Sequence, residues 1–289
     1  NILSINYDNL VGYEPATTTY YVNGTRYGSV YYVAVNGSSS NDGRTPETPW
    51  NYTYAFNTIR NSTYNNSLIY ILNGTYNIND TVVLNNGLTL KIIGNNSPVL
   101  NGNNKIINAF NIQNGLVSLE SMTFRNFANT PILNRANNTN ITGNTFLNNK
   151  GINGGAISNY NANNATILRN TFTNNTGMYG GAIYNRGNNT IINKNTFTKN
   201  NASISSGAIY NLGRNTWITN NIFTNNHANT LGGAINNWET TKTTITGNKF
   251  TGNQANYGGA IYYRGTGLKL NNNNMTSNTA RVSGGAVFI

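Results

Sequence analysis

The sequence of 289 residues contains no cysteine, which excludes a disulfide framework and a thiolate metal site. None of its apolar runs is long enough to cross a bilayer, so we expect no membrane span in this segment. Acidic residues are scarce, with seven Asp and Glu against eighteen Lys and Arg. Beyond residue 120 the only acid is Glu239, and the only histidine of the sequence is His227.

These absences leave little from which to build a catalytic site. Glycoside hydrolases need two carboxyl groups that flank the scissile bond, and calcium needs several oxygen ligands, most of them charged. Glu239 alone supplies neither set. His227 stands in FTNNHAN with no orienting partner or nucleophile at a recognisable spacing, which favours a solvated turn residue over a general base. We therefore predict a protein that is not an enzyme, with no metal and no cofactor.

The net charge of +11 has two interpretations. It attracts the protein to an anionic surface such as a cell-wall polymer, or it reflects only the replacement of Asp by Asn on a surface with ordinary numbers of Lys and Arg. The basic residues are dispersed and no nucleic-acid-binding motif accompanies them. We expect no nucleic-acid partner.

Asparagine is abundant, at 65 of the 289 residues, and it belongs to a repeat. The phrase GGAI or a close variant recurs every 26 residues. Its Gly-Ala pair begins at Gly155, Gly181, Gly207, Gly233, Gly259 and Gly285. A fixed period of this length predicts stacked structural units instead of one irregular globule.

Apolar and polar residues alternate in fixed columns of this repeat. Upstream of each GGAI is an aromatic or Met residue, at Phe146, Phe172, Phe197, Phe223, Phe250 and Met275, with Phe124 before them. Five positions earlier the residue is always aliphatic, at Leu119, Ile141, Ile167, Ile192, Ile218, Ile245 and Leu270. Two positions before and three positions after the six later landmarks, the residue is always Asn. We expect the apolar columns to face a core and the Asn columns to form ladders at turns.

Three short strands per unit, separated by Asn- and Gly-rich corners, predict an all-β fold, a right-handed parallel β-helix of the pectate-lyase-like solenoid type. The segment TPETPWNYTYAF predicts a short N-terminal capping helix that starts around Thr48 and Pro49. We divide the chain into N-terminal strands and a capping segment at residues 1–84 and β-helix coils at residues 85–289, and we expect the coils to continue beyond the last residue.

Aromatic and arginine side chains recur after the inward Ile of each unit. One column carries Tyr at 184, 210 and 262, and a second, two residues further along, carries other aromatic residues and Arg. A face of this composition can stack on sugar rings and bind acidic groups, although stacked aromatic residues also stabilise a sheet by themselves. The predicted ligand-binding residues are Tyr160, Tyr184, Arg186, Tyr210, Trp238, Tyr262 and Arg264.

The pairing of GGA-Ile/Val with F-x-x-N, as in FTNN at 172 and FTGN at 250, resembles the polymorphic outer-membrane-protein repeat family. With YYVAVNGSSSNDGRTPETPW, ILNGTY and the Asn-rich coils, the sequence is also similar to adhesin-like surface proteins of methanogenic archaea. The resemblance implies a secreted or wall-attached β-helix that contacts other cells or surfaces. One departure is Tyr263, which stands where the other units have Asn.

We therefore predict an extracellular, cell-surface or wall-associated protein that makes non-covalent contacts with glycans or anionic polymers of another cell envelope, with self-association as a further possibility. Two alternatives stay open: a structural building block of a cell wall, surface layer or filament, and, more weakly, a polysaccharide lyase or glycoside hydrolase. Glycosylation is a hypothesis that rests on N-x-Ser/Thr sequons. They include Asn23, Asn51, Asn61, Asn73, Asn140, Asn164, Asn188 and Asn274.

Overall fold

The computed structural model describes residues 20–22 and 25–289. This part of the chain confirms the predicted right-handed parallel β-helix with one short helix near its N-terminal end. An antiparallel hairpin of β1 (Tyr20–Val22) and β2 (Thr25–Tyr27) precedes the coils. All strand pairs in the four sheets of the solenoid are parallel, because each coil lies on the next with like residues in register.

The first two sheets carry the aliphatic and phenylalanine columns. Sheet 1 consists of β3 (Ser29–Val33), β4 (Ser67–Ile71), β7 (Thr89–Gly94), β10 (Leu116–Glu120), β13 (Asn140–Thr142), β17 (Thr166–Leu168), β21 (Ile191–Asn193), β25 (Trp217–Thr219), β29 (Thr244–Thr246) and β33 (Lys269–Asn271). Sheet 2 consists of β5 (Thr75–Asn77), β8 (Val99–Asn101), β11 (Thr123–Arg125), β14 (Thr145–Leu147), β18 (Thr171–Thr173), β22 (Thr196–Thr198), β26 (Ile222–Thr224), β30 (Lys249–Thr251) and β34 (Asn274–Thr276).

The other two sheets lie on either side of the GGAI corner. Sheet 3 consists of β15 (Lys150–Asn153), β19 (Thr176–Tyr179), β23 (Asn201–Ser205), β27 (His227–Ala228), β31 (Gln254–Tyr257) and β35 (Thr279–Ser283). Sheet 4 consists of β6 (Val82–Leu84), β9 (Phe110–Ile112), β12 (Ile132–Asn134), β16 (Ile157–Asn159), β20 (Ile183–Asn185), β24 (Ile209–Asn211), β28 (Ile235–Thr241), β32 (Ile261–Thr266) and β36 (Val287–Phe288). Sheet 3 corrects the predicted count of three strands per unit, because the later coils each contain a fourth.

The interior of the solenoid is filled by the predicted apolar columns. Ile192, Ile218 and Ile245 pair in register on neighbouring strands of sheet 1 and are fully buried. In sheet 2 the rings of Phe172 and Phe197 stack with centroids 4.7 Å apart and planes 3° from parallel. That separation matches the ordinary spacing of adjacent strands, so the strand pairing itself places the rings in contact.

The two Asn columns form the predicted buried ladders. The Nδ2 of Asn200 donates to Phe172 O and to Asn226 Oδ1, each at 3.0 Å. Its Oδ1 accepts hydrogen bonds from the backbone N and the Nδ2 of Asn175, also at 3.0 Å. Each amide therefore bonds to the coils on both sides, which satisfies buried polar groups at the turn.

The glycine pair of each GGAI phrase has two distinct roles. The first, such as Gly180, has a φ of +68°, in the left-handed region that glycine adopts without strain. The second, such as Gly181, has no room for a side chain, since a Cβ there would lie 2.1 Å from Gly207 O. The pair therefore allows sheet 3 to turn sharply into sheet 4 while neighbouring coils stay in close contact.

Helix α1 (Tyr52–Thr58) covers the N-terminal end of the core. Its N-cap is Asn51, whose side chain accepts a hydrogen bond from Tyr54 N, so the predicted start at Thr48 and Pro49 is three residues early. Phe56 is buried and meets the ring of Phe110 edge to face at 5.5 Å. A 3₁₀ turn follows at Ser62–Tyr64.

The strand pairing continues across the predicted domain boundary at residues 84 and 85. Strands β4, β5 and β6 precede the boundary and pair with β7, β8 and β9 after it. The sheets therefore show no break at this boundary. The division into residues 1–84 and 85–289 stays a prediction. In the part of the chain that the structure describes, no helix is both long enough and apolar enough to span a membrane.

Candidate ligand-binding surface

The corner that follows sheet 4 presents a file of arginine, aromatic and leucine side chains. Backbone hydrogen bonds continue the sheet-4 register through this corner, from Tyr160 N to Asn134 O and from Arg186 N to Asn159 O. Further along, Trp238 pairs with Arg264. We call this file the arginine–aromatic column; it consists of Arg135, Tyr160, Arg186, Leu212, Trp238 and Arg264.

The first half of the column carries positive charge. Tyr160 lies between two guanidinium groups, with Arg186 at 5.0 Å and Arg135 at 5.8 Å from its ring centroid. Arg186 also donates a hydrogen bond of 3.1 Å to the Tyr160 hydroxyl. Both arginines are exposed, and neither forms an ion pair within the described residues. The two charges are therefore held in place but not neutralised.

The second half is close to electrically neutral. The guanidinium of Arg264 lies 4.8 Å from the Trp238 ring centroid and 3.5 Å from Glu239 Oε1. Trp238 also stacks on Tyr262, with centroids 6.2 Å apart and planes 17° from parallel. Leu212 separates this half from Arg186. The second half thus offers a broad, partly exposed aromatic surface without excess charge.

Two of the predicted ligand-binding residues do not lie on the exposed surface. Tyr184 and Tyr210 stack on each other at 5.6 Å but are only 8% and 9% exposed. Tyr179 of sheet 3 packs against Tyr210 at 5.3 Å. Burial raises the pKa of Tyr210 to about 12. Sheet 3, whose strands were not predicted, packs on Tyr210 through Tyr179, and the burial of both rings corrects their predicted exposure.

A third ladder of buried Asn side chains lies on sheet 4 and ends beside the second half of the column. It consists of Asn134, Asn159, Asn185, Asn211 and Asn237. Asn211 Nδ2 donates to Asn237 Oδ1 at 2.8 Å, but Asn237 Nδ2 has no partner because the next coil has Tyr263 at that position. The Tyr263 hydroxyl donates instead to Thr266 O at 2.9 Å. The adjacent Asn236 is fully buried, and neither of its amide atoms is hydrogen-bonded. The departure noted at Tyr263 therefore ends the sheet-4 Asn ladder.

Arg135 belongs to the column, although it was not among the predicted ligand-binding residues. Its unit reads PILNR and lacks the GGAI phrase by which the others were aligned. The signal that could have found it is the Leu133–Asn134 pair, which occupies the register of Ser158–Asn159. Placing Arg135 one coil before Tyr160 completes the sandwich of a phenol ring between two guanidinium groups.

Glu239 and His227 lie on different sheets, Glu239 in β28 of sheet 4 and His227 in β27 of sheet 3. Glu239 is exposed, and His227 Nδ1 is hydrogen-bonded to Asn201 Oδ1 at 2.8 Å, at the start of a sheet-3 strand. Among the described residues, no group of three or more His, Cys, Asp and Glu is placed to hold a metal ion.

Most of the predicted glycosylation sites lie on the surface. Asn23 lies outside the described residues, and the side chain of Asn51 caps helix α1. The other six are exposed: Asn61, Asn73, Asn140, Asn164, Asn188 and Asn274. Exposure is compatible with modification, which stays a prediction.

The repeat matches a known family at two places. The Chlamydia polymorphic membrane protein repeat matches residues 171–186 and 249–264. Each of these segments runs from the phenylalanine of sheet 2 to the arginine of the column. The chain therefore carries repeats of this type. No match was found among curated proteins.

Solved structures with similarity to this chain are distant in sequence. "Geobacillus virus E2 - ORF18" is 14% identical with a TM-score of 0.46, and the match covers 84% of this chain and 60% of the viral one. Pectate lyase Pel9A is 17% identical with a TM-score of 0.35, with 90% and 81% covered. The GH136 lacto-N-biosidase from Eubacterium ramulus is 12% identical with a TM-score of 0.35, with 86% and 68% covered.

Proposed function

We propose that this chain is part of an extracellular, adhesin-like surface protein that makes non-covalent contacts with glycans or with another cell envelope. The observation that carries the proposal is the exposed arginine–aromatic column. Its side chains repeat along the solenoid axis, which suits a linear polymer lying parallel to that axis. The polymorphic-membrane-protein-type repeats support the surface location.

The first half of the column suits an acidic group. Arg135 and Arg186 are two coils apart, which corresponds to about 10 Å along the axis at the usual strand spacing. Their guanidinium groups donate hydrogen bonds in a planar fork that matches carboxylate, phosphate or sulfate. The excess positive charge of the whole chain favours the approach of such a polymer.

The second half suits a sugar ring. Trp238 is partly exposed and stacks on Tyr262, next to an arginine whose charge Glu239 partly balances. Aromatic side chains with one solvent-exposed edge are common in recognition surfaces because they combine apolar area with hydrogen bonding. In this proposal the polymer places an acidic group near Tyr160 and a sugar ring on Trp238.

A role without catalysis is part of the same proposal. Glu239 is the only carboxylate side chain beyond residue 120, so the later coils lack the two carboxyl groups of a glycosidase and the acidic ligands of a calcium-dependent lyase. An origin in methanogenic archaea and glycosylation at the exposed sequons belong to the proposal as well. The archaeal origin rests on the resemblance carried by YYVAVNGSSSNDGRTPETPW, ILNGTY and the Asn-rich coils, and glycosylation rests on the N-x-Ser/Thr motifs.

A structural building block is the second candidate. The observation that favours it is a set of exposed apolar side chains on sheets 1, 2 and 3, where neighbouring solenoids can pack against each other. They are Ile152 at 66%, Met178 at 39%, Ile191 at 39% and Ile222 at 45% exposure. Sedimentation of the purified chain without any ligand tests this candidate. Absence of assembly would contradict it, and assembly that survives replacement of these residues by Ser would exclude them as the contact surface.

Binding to immobilised polygalacturonate, with uncharged dextran as a second polymer, tests the column. We expect the Arg135→Ala/Arg186→Ala variant to bind polygalacturonate at least about tenfold more weakly, and Trp238→Ala to weaken it by a similar factor. The matched control is Lys249→Thr, which removes an exposed charge from sheet 2 and installs the residue that other coils have there.

Three outcomes would argue against the proposal. Binding that Lys249→Thr reduces as much as the double variant does would indicate attraction by net charge alone. Binding insensitive to salt would contradict a charge-led contact. Release of shortened, unsaturated products from polygalacturonate would instead support the lyase alternative.

A further inference from the structure

A groove lies at the N-terminal end of the solenoid, remote in sequence from the arginine–aromatic column. Sheet 1 starts with β3, whereas sheets 2 and 4 start only with β5 and β6. Among the described residues, these two strands therefore have no strand on their N-terminal side, and helix α1 lies there instead. The space between α1 and the two strand edges forms a groove of about 550 Å³.

The groove is lined mainly by uncharged hydrogen-bonding groups. One side is formed by the helix and the residues next to it, and the other by β5 and the turn that leads into β6. The polar lining residues include Asn51, Thr53, Asn57, Arg60, Thr75, Asn77, Asn79, Asp80 and Thr81. Amides, hydroxyls, one guanidinium and one carboxylate make a surface able to pair with many hydroxyl groups at once.

Asp80 supplies the one carboxylate of the lining. Its carboxylate is exposed, and no hydrogen bond or ion pair reaches it from the described residues. Arg60, in contrast, is already positioned, since its Nε donates to Phe56 O at 3.1 Å and its Nη2 donates to Asn57 Oδ1. Asn79 is held by Lys105, whose Nζ donates to its Oδ1 at 2.6 Å. Asp80 is therefore an acceptor with unused capacity beside fixed neighbours.

An aromatic wall completes the groove. The ring of Tyr52 is partly exposed and packs on Phe56 at 4.7 Å and on Tyr76 at 5.8 Å. Its hydroxyl is buried and has no hydrogen-bond partner among the described residues, and the residue lines the groove. A fixed ring beside hydroxyl-binding groups is a suitable platform for a sugar.

We propose that this groove binds a short neutral saccharide, with the Asp80 carboxylate accepting hydrogen bonds from sugar hydroxyls. The volume falls within the range of small-molecule sites, roughly 300 to 1,000 Å³. A neutral ligand fits because the lining carries one guanidinium, Arg60, and one carboxylate, Asp80, whose charges balance. This site is independent of the arginine–aromatic column, which takes the acidic polymer in the proposed function.

Titration of the whole chain with cellobiose, lactose and N,N′-diacetylchitobiose tests the site, followed by backbone amide chemical shifts of ¹⁵N-labelled protein. We expect at least one of the three to shift the amides of Thr53, Asn57 and Asn79 in a saturable manner. Asp80→Asn should weaken that binding about tenfold or more, as is usual when a hydrogen bond to a charged group is lost. Glu47→Gln is the matched control, because it removes an exposed carboxylate of the same region outside the groove.

Two results would overturn the proposal. One is the absence of saturable shifts in the groove with all three disaccharides; the other is equal weakening by Glu47→Gln and Asp80→Asn. The Arg135→Ala/Arg186→Ala variant should bind the disaccharide as the unmodified chain does. A failure of the proposal for the groove can therefore be distinguished from a failure of the proposal for the column.

Discussion

The buried Asn ladders and the exposed arginine–aromatic column are both files of side chains at the coil spacing, yet they differ in composition. In the ladder through Asn200, every coil from Asn149 to Asn278 carries the same residue, because each amide bonds to the coil before and the coil after it. In the column, the residue changes at almost every coil. The same residue is required in every coil where neighbouring side chains hydrogen-bond to each other. Different residues are tolerated where solvent or a ligand supplies the hydrogen-bond partners.

The comparison also separates stability from recognition. Side chains of the interior are paired with their own chain and are sensitive to any change of size or hydrogen bonding. Arg135 and Arg186 keep unneutralised charge at the surface, which contributes little to the fold and is available to a partner. The following variants test this separation, from the largest expected change to the smallest.

Phe197→Ala should destabilise the protein most. Phe197 is fully buried and stacks on Phe172 at 4.7 Å and on Phe223 at 4.8 Å. Removing the ring should lower the free energy of unfolding by about 3 to 5 kcal/mol, since the rigid coils cannot close the cavity. Urea unfolding followed by circular dichroism measures the change. A loss below about 1 kcal/mol would mean that the stack tolerates a gap.

Asn200→Ala should destabilise by about 2 to 4 kcal/mol, since it removes the buried hydrogen bonds from its Nδ2 to Phe172 O and Asn226 Oδ1 and those that its Oδ1 accepts from Asn175. The same unfolding measurement applies. The control is Asn274→Ala, an exposed residue of sheet 2, for which we expect a change within about 0.5 kcal/mol. Similar losses for both variants would remove the distinction between ladder and surface asparagines.

Arg186→Ala should change the free energy of unfolding by no more than about 1 kcal/mol, although it removes a contact with the Tyr160 ring and a hydrogen bond to its hydroxyl. Binding to polygalacturonate should fall in the same variant. A large loss of stability together with the loss of binding would show that the column stabilises the fold as the Asn ladders do, which would contradict the separation of stability from recognition.

The pH dependence of stability gives a change that is confined to alkaline solution. The pKa of Tyr210 in the folded protein is raised to about 12 by burial, above the ordinary value near 10. The neutral phenol is therefore favoured by folding, and its contribution is complete below pH 10 and is lost as the pH rises toward 12. Tyr210→Phe should reduce the fall in stability between pH 10 and 12, as measured by urea unfolding at each pH. An unchanged pH profile would show that Tyr210 is more accessible than its packing indicates.

Several features could be predicted because they depend on periodicity. The phenylalanine, isoleucine and asparagine columns repeat in every coil, so their position in the core or at a turn follows from the repeat itself. The glycine pair at Gly180 and Gly181 is equally regular. The short helix was predicted from composition, but its N-cap at Asn51 was placed incorrectly, since several Thr and Asn residues precede it and each can cap a helix.

The fourth strand of each coil could not be predicted in the same way. Segments such as TGMY and NASIS differ in length and composition, so no column marked them as a sheet. This omission led to the error in the exposure of Tyr184 and Tyr210. Arg135 was missed because its unit lacks the GGAI phrase, and the groove at Asp80 was missed because it joins residues from a helix and two strand edges.

The sequence by itself determined the repeating part of this protein: a period of 26 residues, the residues that face the core and the amides that bond from coil to coil. These properties require only that equivalent positions stack, which a regular repeat guarantees. Only the tertiary structure decided which outward side chains are covered, which arginines flank Tyr160 and where helix α1 leaves a groove. Those properties depend on how unlike segments meet, and no period in the sequence describes such contacts.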